Sequence, residues 1–326
     1  MMSLQGNLTY LGMMLRSDHK AEKYYEYLRQ VPILDTPDGI PMINMGYWRG
    51  VSVDAPEGLW EASLKLCRLV GETAELGPGD DVLDAGCGYG TNAIHSMDMF
   101  GPRRIVALNT AGAQIEHGRR LLAASRWGER IAFQHGSATH IAQRDGTFDK
   151  VISIEAAFHF PPRSAFFREA RRVLRPGGLL TIADLISVPP QNALQRVQLG
   201  FIRRALQIPA QNVYGLDRYR EELEDAGFVV EHIASIREHV LPQYQRWLFK
   251  HKGPRWRELH LLFAAANASL FLYPWDYAVI RARKASRTPR PRREQPAPRC
   301  PYHARGPTDG HQPALPDPSR GGLNDA

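Results

Sequence analysis

Cysteine is scarce in this 326-residue chain: Cys67, Cys87 and Cys300 stand far apart, with neither a Cys-x-x-Cys pair nor a disulfide-like framework. This excludes a disulfide-stapled scaffold and suits a reducing compartment, so a cytoplasmic location is expected. Long apolar runs are scarce as well. The most lipid-like stretch, LHLLFAAANASLFLYPW at 259–275, is interrupted by His260, Asn267, Ser269 and Pro274. A bilayer span wants about 20 mostly apolar residues, so a buried helix is expected there and no membrane span. The opening MMSLQGNLTYLGMMLRSDHK lacks an early basic cluster, a continuous apolar centre and a small-residue cleavage site, which speaks against a secretory signal. Nor is one sign of charge in large excess. Lysine and arginine number 41 against 34 acids, and residues 286–326 alone carry seven arginines against four acids. The remaining body is only about +4, so nucleic acid is not an expected partner.

With 23% charged and 43% apolar residues, the chain is long and apolar enough for one large α/β domain with an appendage, and collagen, solenoid arrays and global disorder are excluded. Residues 1–75 carry helical spacing, with Tyr24, Tyr25, Leu28 and Val31 before the turn DTPDGIP and a second helix over roughly 56–75. Short apolar runs then follow at 81–85, 104–108, 131–134, 149–154 and 178–183, separated by helical segments. That alternation predicts a mostly parallel sheet covered by helices on both faces. A crossover helix is expected over 162–174, stopped by RPGG, with Gly177 and Gly178 permitting the turn into the next strand. Two helices are predicted after Pro189 and Pro190, then strands at 228–234 and 276–283 with helix between them. From Ser286 onward, nine prolines in 41 residues and few large apolar side chains predict a disordered tail.

The chemistry concentrates in VLDAGCGYG, residues 82–90: a strand carrying Asp84, glycines at 86, 88 and 90, then a helix from Thr91. Positions without side chains let backbone amides approach a ligand where the helix offers its partly positive end. Dinucleotide folds use the spacing Gly-x-Gly-x-x-Gly, whereas this loop reads Gly-x-Gly-x-Gly with an acid two residues before the first glycine.

With this loop, VALNTAGAQI at 106–115, FDKVISIEAAFHF at 148–160 and REARRVLRPGGLLTIADL at 168–185, the sequence resembles the class I S-adenosylmethionine-dependent methyltransferases. MINMGYW at 42–48, the Asn-Thr-x-x-x-Gln run at 109–114 and EAAFHFPPRSAFFREARRVLRPGG are similar to enzymes that methylate macrolide sugars, prenyl diphosphates, sterols and tocopherols. The resemblance implies an α/β, Rossmann-like, doubly wound sheet of seven mostly parallel strands with an antiparallel last strand and a helical lid. It divides the chain into an N-terminal helical lid (1–75), an S-adenosylmethionine-binding core (76–188), a helical cap insertion (189–227), strands and helix completing the sheet (228–285) and the tail (286–326).

Carried over residue by residue, the resemblance implies that Asp84 contacts the methionine end of the cofactor while Gly86, Gly88 and Gly90 let the loop pass close beneath it. Asn109 stands where many relatives have an acid gripping the ribose hydroxyls, and Gln114 is a secondary contact. The family's Gly-Asp-Ala, whose acid faces the adenine amino group, reads GSA at 136–138 here. Ser137 brings no carboxylate, and adenine recognition then rests on backbone around Ala138. Tyr47 and Trp48 would close over the cofactor or acceptor.

Methyl transfer from a sulfonium is an in-line displacement, helped by alignment and exclusion of water. It needs no metal. An alcohol must shed a proton, for which a nearby base contributes about 10²–10⁴. Glu155 and His159, just beyond the fourth strand, are the candidates; Glu155 also keeps carbon methylation open. The expected activity is methylation of an oxygen on a small, partly hydrophobic specialised metabolite. Carbon methylation of an isoprenoid or sterol-like acceptor is the runner-up, and homo-oligomers are left open. A nucleic-acid base methyltransferase would show Asn-Pro-Pro-Tyr where this chain has Glu-Ala-Ala-Phe. A non-catalytic, cofactor-binding regulatory subunit would fit Asn109 and Ser137, against which the intact glycine loop stands. A nicotinamide dehydrogenase is opposed by the glycine spacing.

Overall fold

Each of the seven apolar runs forms a strand in the computed structural model, which describes residues 12, 43–123, 125–252 and 273–285. These are β1 (Asp81–Ala85), β2 (Arg104–Asn109), β3 (Ile131–His135), β4 (Phe148–Ile154), β5 (Leu174–Ile186), β6 (Phe228–Ser235) and β7 (Asp276–Lys284). They lie in one sheet in the order β3-β2-β1-β4-β5-β7-β6. The first five run parallel, while β7 is antiparallel to both β5 and β6. The expected Rossmann-like sheet with an antiparallel last strand is therefore present. Strand order reverses between β1 and β4, and at such a switch point the carboxyl ends of the strands open a ligand crevice.

Seven helices accompany the strands among the described residues: α1 (Gly58–Thr73), α2 (Thr91–Phe100), α3 (Gly112–Ala123), α4 (Arg163–Val173), α5 (Ala193–Ala205), α6 (Leu216–Asp225) and α7 (Leu241–Lys252). Because side chains alternate across a strand, neighbours such as Val82 and Leu83, or Ile152 and Val151, enter opposite apolar layers. One layer holds Leu66 and Val70 of α1, Met97 of α2, Leu199 and Ile202 of α5, and Trp247 and Leu248 of α7. The other holds Phe166, Phe167 and Ala170 of α4 with Tyr219 and Leu223 of α6.

Two expectations change in detail. Within 189–227, α5 packs in the layer with α1 and α7, but α6 buries Tyr219 and Leu223 against α4 and the sheet itself. Only the first helix of that segment lies on the side of the suspected lid, because the apolar stripe of α6 matches the opposite face. RPGG does not separate helix from strand: α4 passes at once into β5, and the pairing jumps from Phe148–Leu174 to Lys150–Leu179. Gly177 takes φ +75°, and a Cβ on Gly178 would stand 2.9 Å from the Asp149 carbonyl. The glycines serve an irregularity inside the strand. The expected helix at 24–31, most of 259–275 and the tail 286–326 lie outside the described residues. Among the described residues no helix is long and apolar enough to cross a membrane.

A buried polar network ties the loop after β4 to the second layer. Asp184 of β5 accepts from the Phe158 amide (3.1 Å) and the Tyr219 hydroxyl (3.2 Å), and pairs with Arg163 Nε at 3.3 Å. The guanidinium lies over the rings of Tyr214 and Tyr219. Asn212 accepts from the Arg163 amide and donates to the carbonyls of Phe158 and Phe160. Both charged groups are almost wholly buried, so removing one strands the other. Arg163→Met is expected to destabilise the fold by about 3–5 kcal/mol, and adding Asp184→Asn should recover part of that loss; urea denaturation of both variants measures it.

Candidate active site

The crevice is floored by β1 and β4. Asp84 is 1% exposed, and neither carboxylate oxygen has a partner among the described residues. Burial pushes its pKa up to about 7. An unpartnered buried carboxyl is costly, and here it lies beside the glycine loop. Gly86 and Cys87 donate backbone N–H groups to the Leu108 carbonyl at 2.8 and 3.1 Å, which pins the loop to β2. Gly86, Gly88 and Gly90 all have positive φ. A Cβ on Gly86 would strike Ala156, and one on Gly90 would strike the Phe133 ring, whereas the space over Gly88 is open. Gly90 is also the left-handed N-cap of α2, with no side-chain cap. The cradle is thus a bare loop with one open position, a helix start and an unsatisfied acid, a setting whose chemistry suits a cationic ligand.

Beside it, Asn109 Nδ2 donates to the Gly88 carbonyl (3.2 Å) and to Gln114 Oε1 (2.7 Å), while its Oδ1 accepts from the Thr110 amide. An acid at 109 could not donate to Gly88, so the amide ties β2 to the loop. Gln114 is 4% exposed and its Nε2 has no partner among the described residues. Ser137 is occupied differently from expectation: its hydroxyl contacts that of Thr139 at 2.9 Å and accepts from the Thr139 amide, within a local turn. Ala138 is buried in the apolar layer that also holds Leu83, Val106 and Ile141.

At the end of β4, Glu155 takes φ +52° and is buried. Its Oε2 accepts from the Met45 amide (2.6 Å) and the Tyr277 hydroxyl (3.3 Å). Burial nevertheless raises its pKa to about 8, the two hydrogen bonds opposing the shift. His159 lies four residues on, ring centroid 4.0 Å from that of Phe158, with Nδ1 3.3 Å from the Gln207 carbonyl. The structure gives the two different settings: Glu155 meets the 43–48 strap, His159 the segment following α5. Trp48 departs from a lid role, being buried against Trp247 with Nε1 donating to the Met45 carbonyl. Tyr47 is half-buried and packs edge-on to His239.

Sequence reasoning passed over Arg163, Asp184, Asn212, Tyr277 and Asn44. An acid inside the apolar run LLTIADLI was the one readable signal; the partners come from distant segments.

A glycine loop at the switch point of a largely parallel sheet is the place where open α/β folds bind nucleotide-like ligands. The model of the methyltransferase domain family matches residues 82–178. The chain is 34% identical over 218 residues to the erythromycin 3''-O-methyltransferase of Saccharopolyspora erythraea, covering 64% of this chain and 69% of that one. It is 28% identical over 223 residues to the 27-O-demethylrifamycin SV methyltransferase of Amycolatopsis mediterranei, covering 68% and 79%. The fold is similar to that of geranyl diphosphate C-methyltransferase from Streptomyces coelicolor, solved with S-adenosyl-L-homocysteine, with TM-score 0.65, 16% identity and coverage of 82% and 99%. The chain belongs to the methyltransferase domain family and is an S-adenosylmethionine-dependent methyltransferase.

The raised pKa of Asp84 sets a pH dependence. The folded chain holds a proton there that the unfolded chain, with an ordinary value near 3.8, releases. Stability is therefore lost as pH rises from about 4 through about 7, and Glu155 and Asp184, raised to about 8 and about 6, add the same sign. Asp84→Asn should make the ligand-free protein more stable than wild type at pH 8, by roughly 2–4 kcal/mol, an advantage that shrinks toward pH 4. Thermal melts across this range check it.

Proposed function

We propose that this methyltransferase methylates an oxygen of a small, partly apolar specialised metabolite, the class of acceptor named for the Saccharopolyspora and Amycolatopsis relatives. The observation that carries the reading is Glu155: a buried carboxyl with a pKa near 8, at the carboxyl end of β4 and facing the strap. Asp84 and the loop of Gly86, Gly88 and Gly90 hold the cofactor, and Asn109 and Gln114 hold the loop and its ribose side. Ala138 borders the adenine, and Ser137 contributes through its turn. When bound, S-adenosylmethionine supplies an electrophilic methyl group on a sulfonium. Glu155 accepts the acceptor hydroxyl's proton on its carboxylate, while Tyr277 and the Met45 amide fix that carboxylate. His159, held between Phe158 and the Gln207 carbonyl, orients the acceptor. Tyr47 lines the chamber on the strap side, and Trp48 anchors the strap. Apolar side chains such as Phe158, Leu199 and Leu206 gather on the same side as Asp84, which supports a partly hydrophobic acceptor.

A cytoplasmic location, with small molecules rather than nucleic acid as partners, belongs to the same reading; the buried free thiols of Cys67 and Cys87 support it. The second reading, carbon methylation of an isoprenoid- or sterol-like acceptor, is favoured by one observation: the phenol of Tyr277 adjoins the Glu155 carboxyl, a setting that suits passing positive charge.

Incubation with metabolite extract and methyl-labelled cofactor, followed by mass spectrometry and NMR of the product, is expected to find the label in a methoxy group. A carbon-bound label selects the second reading. With the acceptor in hand, turnover should climb from pH 6 to pH 9, since Glu155 must lose its proton to act as base. Glu155→Gln should lower turnover by about 10²–10⁴ and abolish that climb while cofactor affinity persists. His159→Ala should cost about tenfold or more. Full turnover in both variants would rule out the assignment.

A further inference from the structure

At the end of α5 the chain takes a conformation that its residue type does not favour. The Leu206 amide donates to the Ile202 carbonyl, and the amides of Gln207 and Ile208 turn back to the carbonyls of Arg204 (3.2 Å) and Arg203 (2.8 Å). This is the doubly bonded helix end whose left-handed position is ordinarily glycine. Gln207 fills it at φ +53° and is 4% exposed, although a Cβ disfavours that region. Its Nε2 donates to the Arg204 carbonyl at 2.6 Å, a buried bond that glycine could not supply and that stiffens the turn. The Gln207 carbonyl meets His159 Nδ1 at 3.3 Å. Resting on the acceptor reading above, we propose that Gln207 is a positioning residue: its turn sets the tautomer of His159, placing the proton on Nδ1 and the lone pair on Nε2, which meets a hydroxyl or amine of the acceptor.

A carbonyl oxygen only accepts, so an imidazole nitrogen bonded to it carries a hydrogen. In the neutral ring a proton on Nδ1 leaves Nε2 as the accepting atom, and the partner of one nitrogen thereby decides what the other can do. The group that His159 orients must then bring a hydrogen of its own. A hydroxyl or an amine qualifies, whereas an ether, a ketone or a bare isoprenoid chain does not.

The ring holds this geometry because its backbone is fixed on both sides. Asn212, 0% exposed, donates from Nδ2 to the carbonyls of Phe158 (3.0 Å) and Phe160 (2.7 Å), the residues that flank His159. Its Oδ1 accepts from the Arg163 amide at 2.9 Å. The His159 amide donates to the Ala156 carbonyl at 3.0 Å, and the ring lies against Phe158. Gln207 and Asn212 belong to the one connection between α5 and α6. The first grips the imidazole and the second grips the turn that carries it.

Nitrogen-15 NMR of the full chain with labelled histidine, bound to S-adenosylhomocysteine at about pH 8.5, above the ordinary imidazole range, reads which ring nitrogen carries hydrogen. His159→Gln identifies the signals. Wild type is expected to show a protonated Nδ1 and an unprotonated Nε2 at His159. Gln207→Gly, at ease in the left-handed region, should keep that tautomer, whereas Gln207→Val, whose branched Cβ opposes the region, should admit the Nε2–H form. Adding the acceptor found in the labelled extract should move the Nε2 signal to lower frequency while Nδ1 holds, and turnover should be about tenfold lower in Gln207→Val than in Gln207→Gly. A wild-type proton on Nε2 overturns the proposal, as does a Gln207→Val protein that keeps the wild-type tautomer; should that variant fail to fold, the wild-type and Gln207→Gly spectra decide. An Nε2 signal that ignores the acceptor overturns the proposal and leaves the oxygen reading standing. A carbon-bound label overturns that reading, and the spectra still decide His159.

Discussion

Keeping carboxyl groups out of water at the carboxyl ends of parallel strands is the constraint on which this molecule turns. Asp84 on β1, Glu155 at the end of β4 and Asp184 on β5 are all buried, and burial raises the pKa of each. They are treated in three ways. Asp184 is given a guanidinium, a phenol and a backbone amide. Glu155 receives one amide and one phenol. Asp84 receives nothing among the described residues. The gradation is one of partners: Asp184 is paired on several sides, Glu155 through one oxygen, and Asp84 bears its desolvation cost unpaired among the described residues.

The strap over residues 43–48 reaches one of these acids, Glu155, directly. Its Met45 amide grips Glu155, and the side-chain nitrogen of its neighbour Asn44 has no partner among the described residues. Trp48, buried against Trp247 of α7, anchors the end of the strap. Gly46 makes this crossing feasible, since a larger residue at its positive φ would collide with α1.

The sheet was legible because its signals are local. Strands buried on both faces read as short apolar runs, and all seven emerge within a few residues of their observed bounds. The glycine loop was legible for a related reason: three positions that forbid a Cβ, next to an acid, leave a mark in nine consecutive residues. Ser137 and Trp48 show where such reading stops. Nothing in GSA announces that the hydroxyl would close a turn with Thr139, and an aromatic residue at a suspected lid looks the same whether it faces a ligand or, as Trp48 does, another tryptophan nearly 200 positions away. For α6, a helix was legible, but which face of the sheet its Tyr219 and Leu223 would cover was not.

The sequence by itself determined the class of the fold, the nature of the donor and the neighbourhood of the chemistry, since each is written in contiguous residues with their own period or spacing. Tertiary structure decided which acid is paired and which is left waiting. Asp184 finds Arg163 and Tyr219, Glu155 finds Met45 and Tyr277, and Asp84 finds none among the described residues, and these outcomes depend on segments from 21 to 122 residues apart. Partnership across such separations is set by packing of the two layers on the sheet, and a carboxyl's charge state follows from its surroundings rather than from its place in the chain.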